Sequence, residues 1–159
     1  MHVLQLVKHL DINDINCLKE IAREVRLAVN SLMRTSESKK VLGKGFGGDQ
    51  TLFIDEVAEN TIINYLKRQK ISCIFIGEEH GVQKFGKQPA FHFIADAVDG
   101  TTNATKGVSF VSTSLAVSPI DDLNHVEAAL VMNLCTSKMY EAEKGKGAKY
   151  EGEKIKTSE

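Results

Sequence analysis

Two carboxylates three residues apart, Asp96 and Asp99, lie in the run Ile94-Ala95-Asp96-Ala97-Val98-Asp99-Gly100-Thr101-Thr102-Asn103. The β-forming stretch Phe91-His92-Phe93-Ile94-Ala95 precedes them and a Gly-Thr turn follows. If Thr101 to Thr105 opens a helical turn, its free N–H groups and positive dipole end suit a phosphate, while Asp96 and Asp99 point at a cation beside it. A third carboxylate, Glu78, ends the stretch Ile71-Ser72-Cys73-Ile74-Phe75-Ile76-Gly77, with Glu79 next to it. Two such charges about 4 Å apart repel by roughly 4 kcal/mol at an effective dielectric near 20. A divalent cation turns that repulsion into ligation. Oxygen-only ligands select hard ions, so Mg²⁺ comes first and Mn²⁺ second. The chemistry implied is hydrolysis of a phosphate ester by metal-activated water.

These groups need elements to hold them. Ile15, Leu18, Ile21, Ala22, Val25, Val29, Leu32 and Met33 recur at three- and four-residue steps, which predicts an amphipathic helix over 14–34, capped by Asp11 or Asn13. Ile54, Val57, Ala58, Thr61, Ile62, Tyr65 and Leu66 repeat the spacing, and the helix they predict fades at Lys67-Arg68-Gln69-Lys70. Strands are expected at 71–76, 91–95, 111–117, 126–133 and 138–143. Turns are expected at 119–122 and 143–147, and a last hairpin with Gly152 at its bend. Two helices precede the first strand in this reading, and Lys44-Gly45-Phe46-Gly47-Gly48 is a mobile loop. The architecture is α+β, with two helices on one face of a mainly antiparallel sheet and no domain boundary inside the chain.

Composition narrows the function. The 159 residues are 42% hydrophobic, enough for one core, and a formal charge of -1 offers no concentrated basic face for nucleic acid. Cys17, Cys73 and Cys135 show neither C-x-x-C spacing nor a Cys/His cluster, so reduced thiols are expected and zinc is not. No run approaches about 18 apolar residues, and the start, MHVLQLVKHLDIND, is unlike a leader, so the expectation is a cytoplasmic protein without a membrane partner. His80 reads as an exposed turn histidine, and His2, His9, His92 and His125 form no cluster.

GEEHG at 77–81 and DAVDGTTN at 96–103 resemble the G-E-E and D-P-(I/L)-D-G-T-x-N motifs of the inositol monophosphatase and fructose-1,6-bisphosphatase superfamily. GDQTLFIDEVAENTII at 48–63 is similar to the segment before that family's second helix, above all in the archaeal dual-specificity members. YEAEKGKGAKYEGEKIKTSE at 140–159 resembles its strand-turn-strand stretch. The resemblance implies that Glu78, Asp96 and the Val98 carbonyl bind a first Mg²⁺, with Asp96 and Asp99 reaching a second. It implies that Asp55 and Thr101 activate the water, and that the Gly100, Thr101 and Thr102 amides hold the phosphate of a small-molecule ester. Spacing alone does not single out Asp55. Ala97 stands where the family has proline, and neither a W-D-x-A motif nor any Trp is present. The resemblance therefore makes residues 1–159 a single amino-terminal metal-binding domain, with the family's carboxy-terminal α/β domain absent. A chain cut at that junction is expected to self-associate, most simply as a dimer.

Overall fold

The computed structural model describes residues 15–158, so the expected caps Asp11 and Asn13 lie outside the described residues. Helix α1 (Ile15–Asn30) buries Ile15, Leu18, Ile21, Ala22, Val25 and Val29 on the stripe that its spacing marks out. Helix α2 (Phe53–Arg68) lies against it and buries Ile54, Ala58, Ile62, Ile63 and Leu66. Polar links lock the pair: the Tyr65 hydroxyl donates to Glu20 at 2.6 Å, and Arg68 to Glu24 at 2.7 Å.

Between the helices the chain adds a hairpin, so two helices do not directly precede the first strand. Strands β1 (Val41–Lys44) and β2 (Gln50–Leu52) pair antiparallel, and 45–49 form their turn. The run 44–48 is anchored, with Gly45 N–H donating to Asp49 O at 2.9 Å and Phe46 N–H to Glu79 O at 3.1 Å.

The main sheet contains β3 (Ile74–Gly77), β4 (Gly81–Lys84), β5 (His92–Asp99), β6 (Ser112–Ser118), β7 (Ala128–Asn133), β8 (Met139–Glu143), β9 (Gly147–Tyr150) and β10 (Glu153–Ile155). Its order is β10-β9-β8-β7-β6-β5-β3-β4, and among the described residues only β3 and β5 pair in parallel. The expected last hairpin is β9–β10, turning on Glu151 and Gly152, both at positive φ as a tight two-residue hairpin turn requires. A short helix, α3 (Thr101–Lys106), follows β5.

One face of the sheet meets the helices. Phe75, Phe93, Leu115, Val117, Leu130 and Met132 point there and are sealed into one core with α1 and α2. On the other face the register aligns one apolar residue from every strand: Val82, Ile76, Ile94, Ala116, Ala129, Ala142, Ala148 and Ile155. Tyr140 and Val131, directly opposite each other, extend that surface and stand 53% and 40% exposed.

Candidate phosphate-ester and cation site

The parallel pair β3–β5 sets the site. Gly77 lies opposite Ala95, so Glu78 and Asp96, each one residue further on, emerge level with one another on strands about 4.8 Å apart. Between β5 and β6 the register then slips. Asp96 faces Ser114 and Asp99 faces Ser112, so β5 carries two residues between its partners where β6 carries one. That extra residue turns Asp96 and Asp99, three apart in sequence, to the same side of the sheet. Gly100 follows at φ 98°, and a Cβ there would stand 2.7 Å from the Phe110 carbonyl oxygen, so only glycine makes this bend into α3.

Helix α2 supplies the opposite wall. Asp55 is 5% exposed, and its Oδ2 accepts the Leu52 N–H at 3.0 Å, closing the first turn of the helix. Its Oδ1 accepts the Thr101 hydroxyl at 2.8 Å, across 46 positions of sequence. The same hydroxyl lies 3.2 Å from the Val98 carbonyl. Asp55 and Thr101, paired by the resemblance, are thus in contact, and Thr101 also touches the Val98 carbonyl, which the resemblance makes a metal ligand.

The electrostatics are those of crowded, partly dehydrated carboxylates. Burial, then Glu78 and Asp99, push Asp96 up to about 6, against one backbone hydrogen bond from Val98 that pulls it down. Burial raises Asp55 as well, opposed by the Thr101 and Leu52 hydrogen bonds. Glu79 is raised by burial and lowered by the Thr51 hydroxyl that donates to it. Asp99 is exposed and accepts from Ser112 at 3.4 Å.

Among the described residues no three Asp, Glu, His or Cys side chains form a ready-made cage for a metal ion. The donor set nevertheless fits Mg²⁺. Asp96 Oδ1 is buried without a hydrogen-bond partner, beside two further carboxylates and a carbonyl. Mg²⁺ is commonly held by one or two carboxylates, with water and substrate phosphate completing its shell. A cavity of about 190 Å³ opens beside these groups, bounded by Gly45, Asp49, Asp55, Glu78, Glu79 and Thr101. A larger groove of about 630 Å³, between α1 and β8, lies away from them and contains none of these residues.

Two features escape the sequence reading. His80 is half-buried, with Nδ1 3.0 Å from Glu59 Oε1 and Nε2 3.4 Å from Glu56 Oε1. Glu59 is entirely buried. Its signal was present in the spacing: Asp55, Glu59, Ile62 and Leu66 follow at four, three and four residues, which places both acids on the core face of α2.

Comparison with known proteins identifies the family and the fold. Residues 13–159 match the model of the inositol monophosphatase family. A fructose-1,6-bisphosphatase/inositol-1-monophosphatase of Archaeoglobus fulgidus is 37% identical over 141 residues, covering 89% of this chain and 53% of the relative. A bifunctional NADP phosphatase/NAD kinase of Methanococcus maripaludis is 35% identical over 150 residues, covering 84% of this chain and 26% of the relative. A solved inositol monophosphatase–fructose 1,6-bisphosphatase superposes with a TM-score of 0.80 at 28% identity, over 91% of this chain and 54% of that one. The chain spans about half the length of the fructose-1,6-bisphosphatase/inositol-1-monophosphatase relatives, and about a quarter of the bifunctional NADP phosphatase/NAD kinase. On motif order, fold and the extent of the match, this chain belongs to the inositol monophosphatase family.

Proposed function

We propose that this chain forms the metal-binding half of a Mg²⁺-dependent phosphomonoesterase, and that the contact carrying the reading is Thr101 Oγ1 to Asp55 Oδ1 at 2.8 Å. Glu78, Asp96, Asp99 and the Val98 carbonyl would hold Mg²⁺, or Mn²⁺ in its place. Once bound, the cation lowers the pKa of its water and neutralises the phosphoryl oxygens. The chain's own groups do the rest. With its proton given to Asp55, the Thr101 hydroxyl has a lone pair left to accept from the attacking water. As the water oxygen bonds to phosphorus, the phosphorus–ester oxygen bond breaks and that oxygen leaves as the alcohol with a proton from solvent, while the water's proton passes through Thr101 to Asp55. Burial raises the proton affinity of Asp55, which suits a base. The amides of Gly100, Thr101 and Thr102, at the start of α3 where N–H groups lack intrahelical acceptors, face the phosphate.

The substrate class follows the relatives: inositol 1-phosphate and fructose 1,6-bisphosphate first, with NADP added by the 35% identical NADP phosphatase. A second reading is a cation-binding half that self-associates without turnover, supported by the apolar row across the sheet's outer face. Phosphate release from the three esters with Mg²⁺ or Mn²⁺, with Asp96→Asn as control, decides between them. Release that disappears in the control supports the phosphatase. Mn²⁺ binding without release, lost in the control, supports the second reading. The thiols of Cys17, Cys73 and Cys135, none of them in a disulfide, accord with a cytoplasmic setting, and no described helix is long and apolar enough to cross a membrane.

A further inference from the structure

Glu59 lies one helical turn beyond Asp55 and is 0% exposed. A carboxylate taken wholly out of water costs several kcal/mol unless its lone pairs are filled. Three donors fill them. Glu59 Oε2 accepts the Glu79 N–H at 3.0 Å, and Oε1 accepts the His80 N–H at 2.8 Å and lies 3.0 Å from His80 Nδ1. Two successive backbone N–H groups form a concave anion cradle, here filled from within the protein. The chain before it is shaped to the same carboxylate, since a Cβ on Gly77 would stand 2.5 Å from Glu59 Oε1. Glu59 therefore grips the backbone on both sides of Glu78: Gly77 by close contact, Glu79 and His80 by hydrogen bonds. Its oxygens are occupied by these donors, whereas Asp96 Oδ1 has no hydrogen-bond partner among the described residues.

We propose that Glu59 is a positioning residue for cation binding, holding the 77–80 turn so that the Glu78 carboxylate stays level with Asp96. His80 is its accomplice: it braces the carboxylate through Nδ1 and reaches Glu56 with Nε2. One helix face then sets two parts of the site, with Asp55 on the Thr101 side and Glu59 on the Glu78 side. This inference rests on the cation reading given above.

The test uses the whole chain and Mn²⁺ alone, followed by electron paramagnetic resonance, with amide hydrogen exchange in metal-free protein as the second readout. Glu59→Gln keeps size and one acceptor oxygen; Glu59→Ala and His80→Ala remove one side of the contact; Glu78→Gln tests the cation site itself. The expected result is loss of protection at the Glu79 and His80 amides and Mn²⁺ affinity weaker by about 10–100-fold, the usual effect of losing a ligand's support. Glu59→Gln should fall between wild type and Glu59→Ala, and it remains informative should Glu59→Ala fail to fold. Wild-type affinity in folded Glu59→Gln and His80→Ala, with Glu78→Gln inactive in binding, overturns the positioning role and leaves the cation reading standing. A wild-type chain that binds no Mn²⁺, or a Glu78→Gln chain that binds it equally well, overturns both.

Discussion

At the residue scale, Asp96 carries the largest electrostatic strain in the corner and gives it a pH signature. Burial and its carboxylate neighbours raise its folded pKa to about 6 from the ordinary aspartate value of 3.8. The protonated form is therefore favoured by folding, and that stability is full below pH 4 and lost as pH rises through 6. Asp96→Asn keeps the neutral shape at every pH. In EDTA, thermal unfolding of Asp96→Asn should match wild type near pH 4 and exceed it at pH 7.5. After allowance for the partial exposure of the group, the gain is about 1 kcal/mol, or roughly 2–4 °C. An equal difference at both pH values would remove the electrostatic cause. Excess Mg²⁺ should close the gap at pH 7.5, because an ion that binds only the folded wild type stabilises it by mass action. For Thr101→Ala the expectation is a loss of turnover of about 10²-fold or more with Mn²⁺ affinity unchanged within threefold, the mark of a group that handles the proton rather than the metal. Equal losses in binding and turnover would make Thr101 a structural tie.

At the scale of elements, the site depends on two departures from regular geometry, the slipped register in β5 and the left-handed bend at Gly100. Gly100→Ala has no room, because its Cβ meets a carbonyl oxygen of the backbone rather than a movable side chain. The expected cost is about 2 kcal/mol or more in chemical denaturation, with Mn²⁺ affinity falling as α3 and the end of β5 shift. A variant as stable as wild type would show that the bend relaxes freely. The two long helices and the antiparallel run β5–β10 were legible in the sequence because their apolar spacing and Gly-containing turns agree with their pairing. Strands β1, β2 and β4 were not. Their outward residues, such as Val41, Leu42 and Val82, are 45–61% exposed, so no buried alternation marks them, and they owe their pairing to tertiary contacts. Glu59 was missed for a related reason: a carboxylate within a helical stripe reads as a solvated face until the turn it grips is known. Asp55 was reached only through likeness to a family, yet it shares that face.

At the scale of the molecule, the sheet is sealed on one side and half open on the other. The row from Val82 to Ile155 has alanines at its middle, Ala116, Ala129, Ala142 and Ala148, giving a flat floor on which another layer can sit closely. Self-association through this face should appear as a mass that rises with concentration in light scattering. Val131→Asp, on a residue 40% exposed, should return the chain to a monomer with little change in Tm. A monomer at high concentration, or a dimer indifferent to Val131→Asp, would exclude this face. The same architecture has a consequence for synthesis. Helix α1 packs on α2, but also on β6, β7 and β8, and β7 begins about a hundred residues after α1 ends. At about 5–20 residues per second the ribosome needs roughly 5–20 s to deliver that stretch. During those seconds the stripe of Leu18, Ile21, Val25 and Val29 has no sheet to lie on. Helix α1 is thus made well before the strands it lies on, and its uncovered stripe is a place where holding chaperones would meet the nascent chain.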